Sequence, residues 1–187
     1  MPNPPILQPT LWRTCRVLAN QTRLKILALL ARSQWLTVSA VAENLDLTLA
    51  VASQSLRALE SRGLLSVRRD GRRVLYGFNR TSESAANPLA AQLRTALHRG
   101  SVSAAMIFRL ATAFTHPRRV EIVRLLQTEP RTVLQMQVAT GISYPAMIRH
   151  LHKLESRGFV AQRDGNFVAV EPLESLGRVL GRMAWGG

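Results

Sequence analysis

The sequence predicts a mainly α, α+β fold in which one structural unit occurs twice along 187 residues. Three features predict it: a sequence repeat, the same order of helical and strand-like segments in each copy, and an Asp-Gly pair between short strand-like runs. LANQTRLKILALL, from Leu18, aligns with FTHPRRVEIVRLL, from Phe114, at an offset of 96 residues. LESRG occurs identically from Leu59 and from Leu154, at an offset of 95. Blocks that match in order at nearly constant offset indicate a duplicated unit.

The first copy is predicted to contain three helices. Apolar recurrence predicts helices over residues 22–32 and 37–45, and a third helix that follows Thr48 as N-cap and ends near Arg62. Gly63 then supplies a left-handed cap. The third helix is expected to turn one stripe toward the core: Val51, Ala52, Leu56 and Leu59.

A β-hairpin is predicted to follow these helices. Asp70-Gly71 lies between strand-like runs at residues 66–69 and 72–78, which is a strong signal for a two-residue turn. That turn would set like charges opposite each other: Arg69 against Arg72, and Arg68 against Arg73. Each such pair costs about 0.2–1 kcal/mol, and a bound phosphate would reverse the cost. The hairpin tip is therefore predicted to contact a nucleic-acid backbone or minor groove.

The second copy is predicted to repeat this order of elements. Its segments are helices over 118–127, 132–140 and 144–157, Gly141 as the turn, Ser143 as the cap of the third helix, and a hairpin over 159–170 around Asp164-Gly165. Three helices, the last two forming a helix-turn-helix, followed by a β-hairpin, make a winged helix. We therefore predict two tandem winged helix-turn-helix domains, at residues 1–87 and 88–187.

Amphipathic helices are predicted to flank both domains, and residues 88–115 to form a helical connection between them. These helices cover 11–18, 88–99, 101–114 and 173–185. The apolar face of the third is predicted to comprise Val102, Ala105, Met106, Leu110 and Ala113. Alone, such helices would expose their apolar stripes, so we expect them to pair and hold the two copies together as a pseudo-dimer.

Charge favours a polyanionic partner. The chain has 25 basic and 11 acidic residues, a formal net charge of +14, and each half carries +7. Such a field favours nucleic acid over other partners. No stretch approaches 18 uncharged apolar residues, and the N-terminus lacks the basic start and apolar block of a signal peptide. We expect a cytoplasmic, nucleoid-associated protein that does not contact membranes.

Metal-dependent and enzymatic chemistry are not expected. Cys15 is the one cysteine, which excludes an internal disulfide and a cysteine-cluster zinc site, and we expect it to be a buried structural thiol. His150 and His152 diverge on a helix, and His116, before Pro117, is expected to cap one. The sequence contains no recognisable nucleophile–base pair, phosphate loop or carboxylate cluster. We therefore predict no enzyme activity, cofactor or metal.

These motifs resemble the ArsR family of bacterial winged-helix repressors. LANQTRLKILALL resembles that family's opening helix, GISYPAMIRHLHKLESRG its recognition segment, and VRRDGRRVLY its wing. The resemblance implies a winged-helix transcriptional regulator of duplex DNA. Members are usually single-domain chains that dimerise, whereas here two copies share one chain. Because the paired cysteines of metal-sensing members are absent, metal sensing is not carried over.

Each copy is predicted to read DNA with its third helix and its wing. In the first copy the candidates are Thr48, Ser53, Gln54 and Arg57 on the helix, with Arg68, Arg69, Arg72 and Arg73 on the wing. In the second copy they are Ser143, Tyr144, Arg149 and His152 on the helix, with Arg163 and Asn166 on the wing. Gln54 suits adenine and Arg149 suits guanine. The first copy is thus expected to rely on its wing, and the second on its helix.

The leading interpretation is a sequence-specific double-stranded-DNA-binding transcriptional regulator that acts as a repressor. The alternatives are a winged-helix protein-interaction module, which the apolar Leu49 and Ala50 favour, and a non-specific nucleic-acid binder. Arg149 also has the alternative of an ion pair with Glu121 or Glu155. Further homodimerisation, the operator and any small-molecule effector stay open.

Overall fold

The computed structural model describes residues 10–33, 35–78 and 87–186, and in those ranges it forms ten α-helices and five short strands. The first unit contains α1 (Leu11–Leu18), α2 (Gln21–Arg32), β1 (Leu36–Thr37), α3 (Val38–Asn44), α4 (Leu49–Glu60), β2 (Ser66–Asp70) and β3 (Arg73–Gly77). Then follow α5 (Pro88–His98), α6 (Ala104–Ala111), a 3₁₀ turn (Thr112–Phe114), α7 (Pro117–Thr128), α8 (Val133–Thr140), α9 (Tyr144–Glu155), β4 (Val160–Arg163), β5 (Asn166–Ala169) and α10 (Ser175–Trp185). This order confirms the two tandem winged helix-turn-helix units.

Among the side-chain caps that the sequence predicted, those at Thr48 and His116 are confirmed and that at Ser143 is not. The Thr48 hydroxyl accepts a hydrogen bond from the Val51 amide at 3.3 Å and begins α4. Asn87 caps α5 in the same way, and His116 caps α7 through Nδ1. Ser143 lies at the N-cap position of α9 but makes no capping hydrogen bond, so the predicted cap is wrong in its chemistry. Its hydroxyl is exposed and available to another partner.

A residue with positive φ makes the helix-turn-helix turn in each unit. Asp46, with φ of 51°, separates α3 from α4, and Gly141, with φ of 66°, separates α8 from α9. Glycine adopts this conformation freely, and aspartate tolerates it better than most residues. Both turns lie where the sequence predicted them.

Short antiparallel sheets carry the wings. β3 is central in the first sheet, with β1 on one side and β2 on the other. The sequence did not predict β1, which pairs Leu36 with Tyr76 over only two residues. In the second unit β4 pairs with β5, and an isolated bridge from Arg131 to Phe167 takes the place of a third strand.

The predicted turn of the first wing is wrong by one residue. The loop consists of Gly71 and Arg72, and Asp70 pairs with Arg73 across the strands. Arg69 therefore faces Val74 instead of another arginine, and Arg68 faces Leu75. Gly71 has φ of 57°, while Asp46 and Asp164 are the non-glycine residues with positive φ in the described ranges. A positive φ at the first loop residue and a negative φ at the second are typical of a type II′ turn. In this register the two predicted arginine–arginine pairs are replaced by one pair of opposite charges, Asp70 and Arg73.

In the second wing the predicted turn is confirmed. Arg163 pairs with Asn166, which leaves Asp164 and Gly165 as the two-residue loop. Both loop residues have positive φ, 49° and 78°, as a type I′ turn requires.

Two predicted apolar faces need correction. Val51 was expected to face the core, but 41% of it is exposed, and the buried residues of α4 are Ala52, Ser55, Leu56 and Leu59. The expected helix over 101–114 begins later, after Ser103 as its N-cap, and ends in the 3₁₀ turn. In this segment Ala105 is exposed, whereas Ile107 and Phe114, which lay outside the predicted stripe, are fully buried.

A continuous hydrophobic core joins both units. α5 packs against α2 of the first unit and against α10, where the Gln92 amide donates to Ser175 Oγ at 2.8 Å. α1 packs against α6 and the 3₁₀ turn, and it also contacts α7. α2 contacts α6 as well. These pairings repeat approximately between the two copies, because α5 meets α10 and α1 meets α6. The contact of α2 with α6 likewise corresponds to that of α7 with α1.

Candidate nucleic-acid interface

The first candidate surface is the outer face of α4. Burial of Ala52, Leu56 and Leu59 fixes the rotation of the helix. Its opposite face then holds the predicted residues: Thr48, Gln54 and Arg57 are exposed, and Ser53 is half-buried. Thr48 is already engaged as the N-cap, so its hydroxyl is less available than the Gln54 amide. α4 thus presents a short polar strip.

The second candidate surface is the outer face of α9. Met147, Leu151 and Leu154 are buried and hold the helix against its unit. The predicted residues Ser143, Tyr144, Arg149 and His152 are all exposed. The alternative ion pair of Arg149 is not observed among the described residues, where Glu121 pairs instead with Arg118 at 2.8 Å. The guanidinium of Arg149 can therefore contact DNA without first breaking an ion pair.

Gln54 and Arg149 occupy equivalent positions in the two helices, because each lies six residues after its N-cap residue, Thr48 or Ser143. A glutamine amide fits the N6 and N7 edge of adenine, whereas an arginine fork fits the O6 and N7 edge of guanine. The two units therefore present different chemistry at the same helical position.

The first wing concentrates positive charge at its tip. Arg68, Arg69, Arg72 and Arg73 are all exposed. They do not form one equivalent cluster, because the Arg68 guanidinium lies 5.4 Å from the centre of the Trp35 ring. Such cation–π contacts contribute about 0.5–1 kcal/mol at exposed sites. Arg73 faces Asp70, so Arg69 and Arg72 are the arginines of this wing with neither of these contacts.

The second wing is less basic. Arg163 is exposed, and the half-buried Asn166 donates its amide to the Asp164 carbonyl at 3.4 Å. That bond stays within the turn. The second wing thus exposes one arginine near its tip, whereas the first wing exposes four.

Two large apolar side chains are exposed on α4: Leu49, as the sequence indicated, and Val51, which was expected to face the core. Leu49 is 61% exposed and the neighbouring Val51 is 41% exposed. In duplex DNA such side chains can contact thymine methyl groups. The exposure of Val51 could have been predicted from Ala52 and Leu56, because an apolar stripe centred on these two residues leaves Val51 at its edge.

A histidine pair, which the sequence did not reveal, lies behind the α9 surface. The rings of His116 and His150 approach to 4.8 Å between centroids. Burial lowers the pKa of both imidazoles, and the Arg118 and Arg119 guanidinium groups lower it further. The proximity of His116 and of Arg149 adds to the effect on His150. Both rings are therefore predominantly neutral at pH 7.

Cys15 is fully buried, as the sequence predicted, and burial raises the pKa of its thiol far above the ordinary range. In the described ranges, no three or more histidine, cysteine or acidic side chains lie close enough to hold a metal ion. None of the helices described there combines the length and apolar character of a membrane span.

Two winged helix-turn-helix units with exposed reading helices and basic wings define a tandem winged-helix protein. The family model described as "Bacterial regulatory protein, arsR family" matches residues 20–67 and 116–162, just over half of the chain. The chain therefore belongs to the arsR family of bacterial regulatory proteins, which confirms the resemblance. The description of this family is that of a class of bacterial regulatory proteins.

A curated relative agrees with this class. The chain is 44% identical over 64 residues to the HTH-type transcriptional regulator Rv0324 of Mycobacterium tuberculosis (strain ATCC 25618 / H37Rv). The aligned segment covers 34% of the chain and 28% of the relative, so the chain spans only about a quarter of the relative's length. No solved structure matches the chain at a significant level.

Proposed function

We propose that the protein is a sequence-specific double-stranded-DNA-binding repressor in which the two winged-helix units of one chain act as a pseudo-dimer. The observation that carries the proposal is the unequal pair of reading helices. α9 presents Arg149 to solvent, while α4 presents Gln54 at the equivalent position.

The contacts between the units support the pseudo-dimer. α1, α5, α6 and α10 bury their apolar faces in a core shared by both units. Leu18, Leu93, Phe114 and Leu180 are each 1% exposed or less in that core. Such extensive burial restrains one unit relative to the other, so both reading helices would approach a duplex as one body.

Unequal readers predict an operator with unequal half-sites. We expect guanine under α9, where Arg149 reads it, and an A·T-rich half-site under α4, where Gln54 meets adenine and Leu49 meets thymine methyls. The half-site centres should lie about 10 base pairs apart, as for other dimeric helix-turn-helix proteins. Occupation of such a site within a promoter would block transcription, which is the repressor role we propose.

Selection of bound duplexes from a random pool, followed by titration at several salt concentrations, tests this function. We expect enrichment of two dissimilar elements and a steep loss of affinity with salt, because several arginines would displace counterions. Absence of enrichment, together with an affinity that is nearly independent of salt, would refute the proposal. Repression is tested separately by a reporter gene that carries the selected operator.

A second candidate function is protein docking, which the exposed apolar residues of α4 and α8 favour. Leu134 and Val138, one turn apart on α8, are 69% and 81% exposed. The docking function predicts no enrichment of sequences in the selection, and loss of partner binding when these apolar residues are replaced. The same selection therefore separates the two functions.

A further inference from the structure

A groove of about 280 Å³ lies between the C-terminal end of α2, in the first unit, and that of α5, in the connection between the units. Its walls are formed by Ala31 of α2, by Arg94, Thr95 and His98 of α5, and by Arg99 at the end of α5. None of these residues belongs to the candidate nucleic-acid interface. The four lining residues of α5 and its end lie on one side of the helix, because Arg94 neighbours His98, and Thr95 neighbours Arg99, at a spacing of four residues.

The groove carries cationic groups without acidic partners. Among the described residues, neither Arg94 nor Arg99 forms an ion pair. The Nε atom of Arg94 is buried and has no hydrogen-bond partner in the part of the chain that the structure describes. A buried polar group without an acceptor is unfavourable, and a guanidinium is best satisfied by a carboxylate or phosphate.

His98 ties the groove to α2. Its Nδ1 lies 3.1 Å from the carbonyl oxygen of Ala31. Because a carbonyl only accepts, Nδ1 carries the proton and the imidazole is fixed against the end of α2. The groove wall is therefore held in place by a hydrogen bond between two helices.

The second unit closes the equivalent groove. Four of the five buried positions of α5 align with buried positions of α10 at an offset of 87 residues, and this offset aligns Arg94 with Gly181 and His98 with Trp185. The Trp185 ring lies over Gly181, since a Cβ at that glycine would meet the ring at 3.9 Å. An aromatic ring in one copy thus covers the position that a cation occupies in the other. In the second copy the cation at this junction comes from the other helix, because Arg124 Nε of α7 donates to the Ala184 carbonyl of α10 at 2.8 Å. The cations on α5 are therefore particular to the first groove.

We propose that this groove binds a small organic anion, whose carboxylate or phosphate group is held by Arg94 and Arg99. Its volume is at the lower end of ligand pockets, so the ligand is smaller than a nucleotide. α5 also contacts α10 through the Gln92–Ser175 hydrogen bond, so an anion bound in the groove would change the packing of the helix pair that joins the two units. An effect of the anion on DNA binding rests on the proposed function, whereas binding of the anion does not.

Calorimetric titration of the full chain without DNA, at constant ionic strength, tests the binding. The probes are inorganic phosphate, acetate, succinate and glycerol 3-phosphate, which separate phosphate from carboxylate ligands. We expect saturable binding of at least one probe, and a loss of affinity of at least tenfold in Arg94→Gln. Arg182→Gln, an equal change of charge on α10, is the matched control and should bind as the wild type does.

Arg99→Gln keeps the test decisive if Arg94→Gln fails to fold, since Arg99 is exposed at the end of α5. Loss of affinity in Arg99→Gln alone then supports the site. Absence of saturable binding of all four probes, or unchanged binding in every folded variant of Arg94 and Arg99, would overturn the proposal. Because no DNA is present, failure here leaves the proposed DNA binding untouched.

Discussion

Arg149 and Gln54 place different side chains at one helical position in the two copies, and the proposed function assigns a different base to each. Both residues are exposed, and both helices owe their orientation to buried residues on the opposite face. The sequence predicted these two residues, because periodicity alone separates the buried stripe from the outward one. It did not predict contacts that depend on tertiary proximity, such as Arg68 with Trp35 or His116 with His150.

Replacing Arg149 with alanine should relax specificity at one base pair. Loss of a bidentate contact to guanine removes about 1–3 kcal/mol of discrimination, because the wrong base is no longer penalised. Fluorescence anisotropy with the selected operator and its single-base-pair variants measures this discrimination. Arg178→Ala, on α10 and outside the candidate interface, is the control. Equal weakening on all duplexes would show that Arg149 contacts phosphate and not a base.

The histidine pair should make the protein less stable in mild acid. His116 and His150 have lowered pKa values in the folded state, so the unfolded chain takes up protons first as pH falls below about 6.5. The free energy of unfolding should therefore decrease as pH falls from there through the lowered pKa values. The nearby positive charges of Arg118, Arg119 and Arg149 also disfavour protonation of His150, so they add to the effect of burial on its pKa.

Urea unfolding between pH 5 and pH 7.5 measures this dependence. His150→Ser, which introduces the residue found at the equivalent Ser55 of the first copy, should flatten it. His152→Ser, an exposed neighbour on the same helix, is the control and should leave the slope unchanged. A wild-type stability that is constant across this range would contradict the account of the pair.

At the scale of elements, the two wings show where sequence-based prediction succeeds. Asp-Gly forms the predicted turn in the second wing, where both residues have positive φ. In the first wing the same dipeptide does not, because the strands pair in a register that sets Asp70 opposite Arg73 and leaves Gly71 and Arg72 as the loop. Local turn propensity does not report the register in which two strands pair. β1, two residues long, also lacks any periodic signal.

The helix boundaries were also predicted with unequal success. α1 and α2 were predicted to within a residue. The segment 101–114 was not, since its burial depends on contacts with α1 and α2 of the other unit. Local periodicity therefore determined the units well and the interface between them less well.

Replacing Arg69 and Arg72 together with alanine should weaken binding to all duplexes by similar factors. These residues have neither a facing acid nor an aromatic contact, so we expect each to neutralise a phosphate. The slope of log affinity against log salt should then fall by about one for each phosphate that is no longer neutralised. Arg163→Ala in the second wing should reduce this slope by about one at most. Weakening confined to particular base sequences would contradict the phosphate role.

For the whole molecule, the proposed function depends on the core that both units share. Helices from both units contribute to this core, and the groove beside Arg94 lies where α5 meets α2. We propose that this core holds the two units of one chain together as a pseudo-dimer. It also allows the two halves to differ, which a homodimer does not.

Hydroxyl-radical footprinting of the chain on its selected operator tests whether both units contact one duplex. We expect two protected segments on one face of the duplex, with centres about 10 base pairs apart. Arg149→Ala should weaken protection of one segment, and the double substitution of Arg69 and Arg72 that of the other. A single protected segment the size of one half-site would show that only one unit reads DNA and would contradict the account.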